Sequence, residues 1–259
     1  MSISQPMKQL SFIRRFLSII FSIYAAFIML ASILAVIPMY IFVFNTCSDK
    51  RAPIVAHRIS RGWARFLFIA FFIRYRLRGE EMLSPDQPYV FISNHRSLLD
   101  IPCYALACKH TFRFLSKAEL GHVPLLGYII RNLYITVNRK DKHDRHRSIE
   151  KMLTSLRADI SVFLAPEGTR NTGTSPLLDF KDGAFRLAIA AEIPIAVLVL
   201  HDADQRLSPL RPIEMTPGII HGEWIGVFPT KGYTEAQLPV LKSEIRQRME
   251  QRLLDGPQA

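Results

Sequence analysis

Cysteine is scarce in this chain: Cys47, Cys103 and Cys108 are the only three in 259 residues. An odd number without zinc-like spacing supplies neither a disulfide framework nor a structural metal site, and it fits a reducing, cytoplasmic setting for the soluble part. Internal repeats and low-complexity linkers are also missing. Acidic charge is thin, with 22 Asp plus Glu against 33 Lys plus Arg, a net +11 in a chain that is 49% hydrophobic. Nucleic acid or an anionic membrane surface could each supply the opposite charge.

A local absence separates those partners. No formal charge occurs from Phe16 to Phe44, while Lys8, Arg14 and Arg15 precede the run and Lys50 and Arg51 follow it. As a helix this run would be about 43 Å long, more than the roughly 30 Å hydrocarbon core, so tilt or a break is expected, with Pro38 as the break. The run is about twice the apolar stretch of a cleaved signal peptide, roughly 7 to 15 residues. A membrane partner is therefore expected, and nucleic acid is not. Basic residues at both ends leave orientation open, and an interfacial or re-entrant hairpin fits as well as a span. Between Arg61 and Arg78, the segment Trp63 to Tyr75 mixes aromatic and aliphatic residues with arginines. It reads either as an element lying among lipid headgroups or as a buried helix leading into a strand. Val123 to Tyr134 is a third apolar stretch, either core or membrane-facing.

Short apolar runs then alternate with helical patterns, which predicts an α/β domain. Candidate strands are Tyr89 to Ile92, Arg113 to Leu115, Tyr134 to Val137, Ser161 to Leu164, Ile195 to Leu200 and Trp224 to Phe228. Ile149 to Leu156 and Ala184 to Ala191 read as helices. Leu238, Leu241, Ile245 and Met249 recur at three or four residues, which predicts an amphipathic closing helix packed on the core. The expected division is a membrane-associated helical region over 1–77 and a catalytic domain over 78–259.

Asn94-His95-Arg96-Ser97-Leu98-Leu99-Asp100 follows the first apolar strand. A histidine and a carboxylate can form a general base. Five positions on a helix correspond to about 140°, so the two meet only if His95 lies in a turn and the helix begins near Ser97. The carboxylate would then fix the tautomer and support the imidazolium. The same residues also match a capping box, in which Asp100 satisfies a backbone amide. Pro166-Glu167-Gly168-Thr169-Arg170 follows another strand, where backbone amides and a guanidinium could hold a phosphate; it also reads as an ordinary loop. Lys117 and Glu119 add a cation and a carboxylate, or a solvated charge pair. His143 and His146 read as part of a solvated basic loop, and Cys103 as a small buried residue that could otherwise be an acyl-accepting nucleophile.

Taken in order, these segments resemble the PlsC-type glycerolipid acyltransferases, the 1-acylglycerol-3-phosphate acyltransferase family, over roughly Arg78 to Gln251. His95 and Asp100 are similar to the first motif. Phe114 to Arg139, with Lys117, Glu119, Leu120, Pro124, Gly127 and Arg139, resembles the second. Pro166 to Arg170 resembles the third, Phe180 to Phe185 the segment after it, and Glu192 to Ile195 the fourth. Ala165 stands where an aromatic is usual and Val197 where a second proline is usual, departures expected to shape the acyl or acceptor pocket.

The resemblance implies a single acyltransferase domain with a central mixed sheet flanked by helices, preceded by the hydrophobic helical segment. It implies transfer of a fatty acyl group from an acyl-CoA or acyl-ACP thioester to the free sn-2 hydroxyl of lysophosphatidic acid, giving phosphatidic acid. His95 would be the base and Asp100 its orienter. Lys117 and Arg170 would bind the acceptor phosphate, with Glu167 and Gly168 shaping the site and Thr169 lending a hydroxyl. Beyond the co-substrate thioester no cofactor or metal is expected; acyl carrier protein is a candidate partner, and the location is the inner membrane with the catalytic domain facing the cytoplasm. Alternatives are acylation of another lysolipid such as a lyso-ornithine lipid, a thioesterase, and a non-enzymatic binder of anionic lipid.

Overall fold

The computed structural model describes residues 12–257; Lys8 lies outside them. The uncharged run belongs to a helix α1, Phe12–Thr46, which continues through Pro38. The expected break is absent: a proline removes one donor and one helical bond, and neighbouring turns carry the helix on. Antiparallel to it runs α2, Ala52–Ala70. Tyr40 Oη and Ser60 Oγ lie 2.6 Å apart, Trp63 Nε1 donates to Ser32 Oγ at 3.0 Å, and Tyr24 Oη donates to the Ala70 carbonyl at 3.2 Å. These polar contacts fix one face of each helix against the other. The opposite face of α1 leaves Phe16, Ile20, Ile23, Phe27, Leu30 and Leu34 exposed, and α1 is long and apolar enough to cross a membrane. α2 divides its surface, burying Ala64, Leu67 and Phe68 while exposing Ile54, Phe66 and Ile69.

Seven strands form the sheet: β1 Ile73–Arg78, β2 Val90–Ser93, β3 Phe112–Lys117, β4 Ile135–Val137, β5 Ser161–Leu164, β6 Ile195–His201 and β7 Gly218–Phe228. Their spatial order is β1-β7-β6-β2-β5-β3-β4. From β6 to β4 all neighbours are parallel; β7 is antiparallel to β6 and parallel to β1, so the sheet is mixed. The other helices are α3 Asp100–Ala107, α4 Leu126–Leu133, α5 Lys142–Arg157, α6 Gly183–Ala191, the one-turn α7 Ala203–Arg206 and α8 Leu238–Asp255.

Side chains alternate across a strand, so each strand feeds two cores. Tyr89, Phe91, Phe112, Phe114 and Phe163 pack with α2 and α3 on one face. Val90, Ile92, Val162, Val197 and Val199 pack with α5, α6 and α8 on the other, where Leu241, Ile245 and Met249 are buried. A central parallel strand is covered on both sides, which is why Val90–Ser93 is buried at every position, without alternation.

Two further expectations change, and one open reading is resolved. The basic and apolar stretch from Arg61 to Arg78 is not one element: its end is strand β1, where Ile73, Tyr75 and Leu77 alternate with Arg74, Arg76 and Arg78. It pairs with β7 over all six residues, so the 77/78 boundary falls inside a strand. The segment around His143 and His146 is not a loop: Asp141 caps α5 by accepting from the His143 and Asp144 amides. The Val123 to Tyr134 stretch contains α4, with Ile129, Ile130 and Leu133 buried and Val123 and Leu125 exposed.

Candidate active site

The carboxyl ends of β2 to β6 share one edge of the sheet, the place where open α/β sheets hold ligands. The turn after β2 carries His95. Its Nδ1 lies 2.8 Å from Asp100 Oδ2. The same oxygen accepts the amides of Arg96, at 2.7 Å, and Ser97, at 2.8 Å. Asp100 opens α3, so His95 sits outside the helix and the carboxylate reaches back to it. Half a capping box is present: Asp100 takes the Ser97 amide, while Ser97 Oγ takes the Leu99 amide rather than that of Asp100. Capping and imidazole orientation are performed by one carboxylate oxygen. Asp100 is buried, whereas the His95 side chain keeps 19% of its surface, and its Nε2 has no protein partner among the described residues.

The rest of the turn is pinned from three sides. Asn94 exchanges two 2.9 Å bonds with the Leu200 backbone on β6, and Tyr104 Oη donates to the Asn94 carbonyl at 2.6 Å. The His95 amide donates to Glu167 Oε1 at 3.1 Å, and the His95 carbonyl accepts the Asn171 amide at 2.8 Å. Arg96 joins two further segments through Asp204 Oδ2 at 2.7 Å and the carbonyls of Ser175 and Gly173 at 3.0 and 3.1 Å. A turn with its polar groups matched this way holds the imidazole in one place without reorganisation.

Glu167, grouped with the substrate-binding residues and expected to shape the site, shapes it from inside the fold. It is buried, with Oε1 on the His95 amide and Oε2 on the Leu178 amide at 2.8 Å. Burial pushes its carboxyl above the usual range, against the pull of the two amides. It is a brace between the His95 turn and the long β5–α6 connection. Gly168 beside it has φ of 74°, a left-handed position that glycine adopts without a side-chain penalty. Thr169 is exposed and Arg170 half-buried. Lys117 is exposed at the end of β3. Neither Lys117 nor Arg170 makes a hydrogen bond or ion pair among the described residues.

Other sequence candidates fall elsewhere. Pro194 and Val197 lie at the start of β6, and the Pro194 carbonyl accepts the Val90 amide. Val197 is fully buried against the α5, α6 and α8 side, so it cannot line a pocket at the carboxyl edge. Ala165 does follow β5 at that edge. Cys103 is enclosed in the core, where burial pushes its thiol up, the reverse of what a nucleophile needs. No local pattern marks Asn94, Arg96, Tyr104 and Asn171 as functional residues. Asn94 and Arg96 flank His95, but their partners stand on segments distant in sequence.

Residues 74–201 match the family model described as Acyltransferase. The human 1-acyl-sn-glycerol-3-phosphate acyltransferase alpha is 32% identical over 181 residues, 68% of this chain and 62% of that protein. The human beta form is 30% identical over 191 residues, 70% of this chain and 65% of that protein. The chain thus spans less than two thirds of the length of these relatives. The crystal structure of the 1-acyl-sn-glycerophosphate acyltransferase PlsC from Thermotoga maritima has the same fold, with a TM-score of 0.81 at 20% identity, covering 95% of this chain and 99% of that one.

Proposed function

We propose, because this chain belongs to the PlsC-type acyltransferase family, that it transfers a fatty acyl group from an acyl-CoA or acyl-ACP thioester to the sn-2 hydroxyl of 1-acyl-sn-glycerol 3-phosphate, giving phosphatidic acid. The observation that carries the reading is the His95–Asp100 contact of 2.8 Å, with Nε2 left for a substrate. The acceptor hydroxyl gives its proton to Nε2 as its oxygen attacks the thioester carbonyl. Asp100 accepts from Nδ1 and supports the imidazolium. The tetrahedral oxyanion collapses, the C–S bond breaks, and the thiolate takes the proton back from His95. The acyl group leaves as an ester, the carrier leaves as a thiol, and no covalent enzyme intermediate is required.

Lys117, at the end of β3, and Arg170, in the connection after β5, make no side-chain ion pair or hydrogen bond among the described residues; they hold the acceptor phosphate, and Thr169 adds a hydroxyl. The exposed apolar face of α1 supports membrane association. In this reading the acceptor and product stay in the bilayer while the thioester arrives from the cytoplasm, at an inner membrane with the catalytic domain on the cytoplasmic side.

The test is a panel of lysolipids assayed with each thioester donor. Lysophosphatidic acid is expected to be the preferred acceptor; a rate no higher than with lyso-ornithine lipid or larger headgroups overturns the assignment. His95→Ala is expected to lower turnover by about 10² to 10⁴ with lipid binding retained. Arg170→Ala is expected to raise KM for the acceptor more than it lowers kcat.

A further inference from the structure

The segment after α7 exposes two large apolar side chains with no packing role: Leu210 is 70% and Ile213 62% exposed. Pro209, Pro212 and Pro217 stiffen this segment. It is fastened to the amino-terminal half of α1. Arg15 Nε donates to the buried Glu214 at 2.9 Å, where Arg211 also pairs at 3.3 Å, and the Met215 amide donates to Ser22 Oγ at 2.7 Å. The end of α2 joins the same place. Phe72, 67% exposed, has φ of 50°, which a bulky residue rarely adopts. Its carbonyl accepts the Gly218 amide at 3.1 Å, and its ring lies 6.4 Å from Phe21.

Arg15, Phe21 and Ser22 thus hold these residues to the amino-terminal half of α1, whose other side exposes Phe16, Ile20 and Ile23. Large apolar side chains exposed next to a helix long and apolar enough to cross a membrane, with Arg15 and Arg211 among them, suit the boundary between acyl chains and lipid phosphates. The same segment also touches the catalytic turn. Ser97 Oγ donates to the Leu207 carbonyl at 2.8 Å, and Arg96 pairs with Asp204 just upstream.

We propose that Leu210 and Ile213, together with Phe72 at the end of α2, form a second bilayer contact, distinct from α1, that seats the His95 turn at the membrane surface where the acceptor lies. The proposal rests on the membrane association stated above. Its partner is a lipid surface, and its effect is to bring a bilayer-held hydroxyl to His95 without requiring the lipid to leave the interface.

The experiment uses the full chain in vesicles of phosphatidylethanolamine and phosphatidylglycerol, in a Cys47→Ser background, with an environment-sensitive dye on Leu210→Cys, Val240→Cys or Phe27→Cys. Val240 is an exposed control on α8, on the other face of the sheet. The dye at 210 is expected to be shielded from aqueous iodide and quenched by nitroxide-labelled lipid, as at 27, while the dye at 240 stays open to iodide. Shielding at 27 with full iodide access at 210 overturns the second contact alone; access at both positions overturns the membrane reading and this proposal with it. In a second readout, Leu210→Asp with Ile213→Asp is expected to raise KM for vesicle-held lysophosphatidic acid about tenfold, as loss of two inserted side chains implies. Turnover of a monomeric, short-chain acceptor is expected to be unchanged, and an equal loss with both acceptors overturns the proposal.

Discussion

Asp100 Oδ2 and the two oxygens of Glu167 together hold five donors from the His95 turn and its surroundings. Glu167→Gln keeps the shape but turns one acceptor into an NH₂ group facing a backbone amide. Either the His95 or the Leu178 amide then loses its partner, at a cost of about 1 to 3 kcal/mol. Urea unfolding in detergent is expected to show a lower midpoint, and turnover is expected to fall as the imidazole loses its fixed position. Full activity and stability in this variant would mean that the brace is dispensable. The sequence made His95 and Asp100 legible because five positions permit only a turn-plus-helix contact. It allowed capping and catalysis together, and one oxygen serves both geometries. How Glu167 shapes the site was not legible, because a motif carries no information about which side of a turn points inward.

At the scale of elements, Arg96 ties the turn after β2 to the β5–α6 connection and to α7. Without it, three segments that converge on His95 would be free to move apart. Arg96→Ala is expected to reduce kcat by about 100-fold, the loss that a displacement of roughly 1 Å can produce, with KM for the acceptor little changed. A cycle with Asp204→Ala is expected to be non-additive, since the second change removes a partner already lost. Additive losses would separate the two residues.

Elements themselves were read well where one period dominated. Ser161–Leu164 appeared with its observed bounds, and α8 buries the residues its spacing selected. Strand β1 escaped because its alternating arginines sit beside the apolar end of α2, and charge and hydropathy masked the period of two. Pro38 misled in the other direction: loss of one hydrogen bond does not end a helix of 35 residues whose neighbouring turns remain bonded.

For the whole molecule, α2 is joined to the sheet domain through buried polar groups as well as apolar packing. His57 Nε2 lies 3.2 Å from the Cys108 carbonyl, and Arg61 donates to the same oxygen at 2.7 Å. Burial pushes the His57 imidazole down to about 4 from 6.5. Below the ordinary value the unfolded chain takes up a proton that the folded chain refuses, so stability falls as pH drops through this interval. The loss approaches about 1.4 kcal/mol per pH unit. His57→Gln, which retains a donor for Cys108 and does not titrate, is expected to flatten that slope in unfolding measured across mildly acidic pH. An unchanged slope would assign acid sensitivity to other groups.

By itself the sequence determined the long apolar helix, the alternating strands and the ordered motifs, because charge exclusion, periodicity and residue spacing act along the chain. Only the tertiary structure decided that α1 pairs with α2, that Glu167 points inward, that Val197 lies away from the site, and that Arg96 and Asn94 lock distant segments around His95. Those outcomes depend on which strand ends meet at one edge of the sheet. The chain brings residues 94 and 200, or 96 and 204, together only when its strands order as β6-β2-β5, and no local pattern encodes that adjacency.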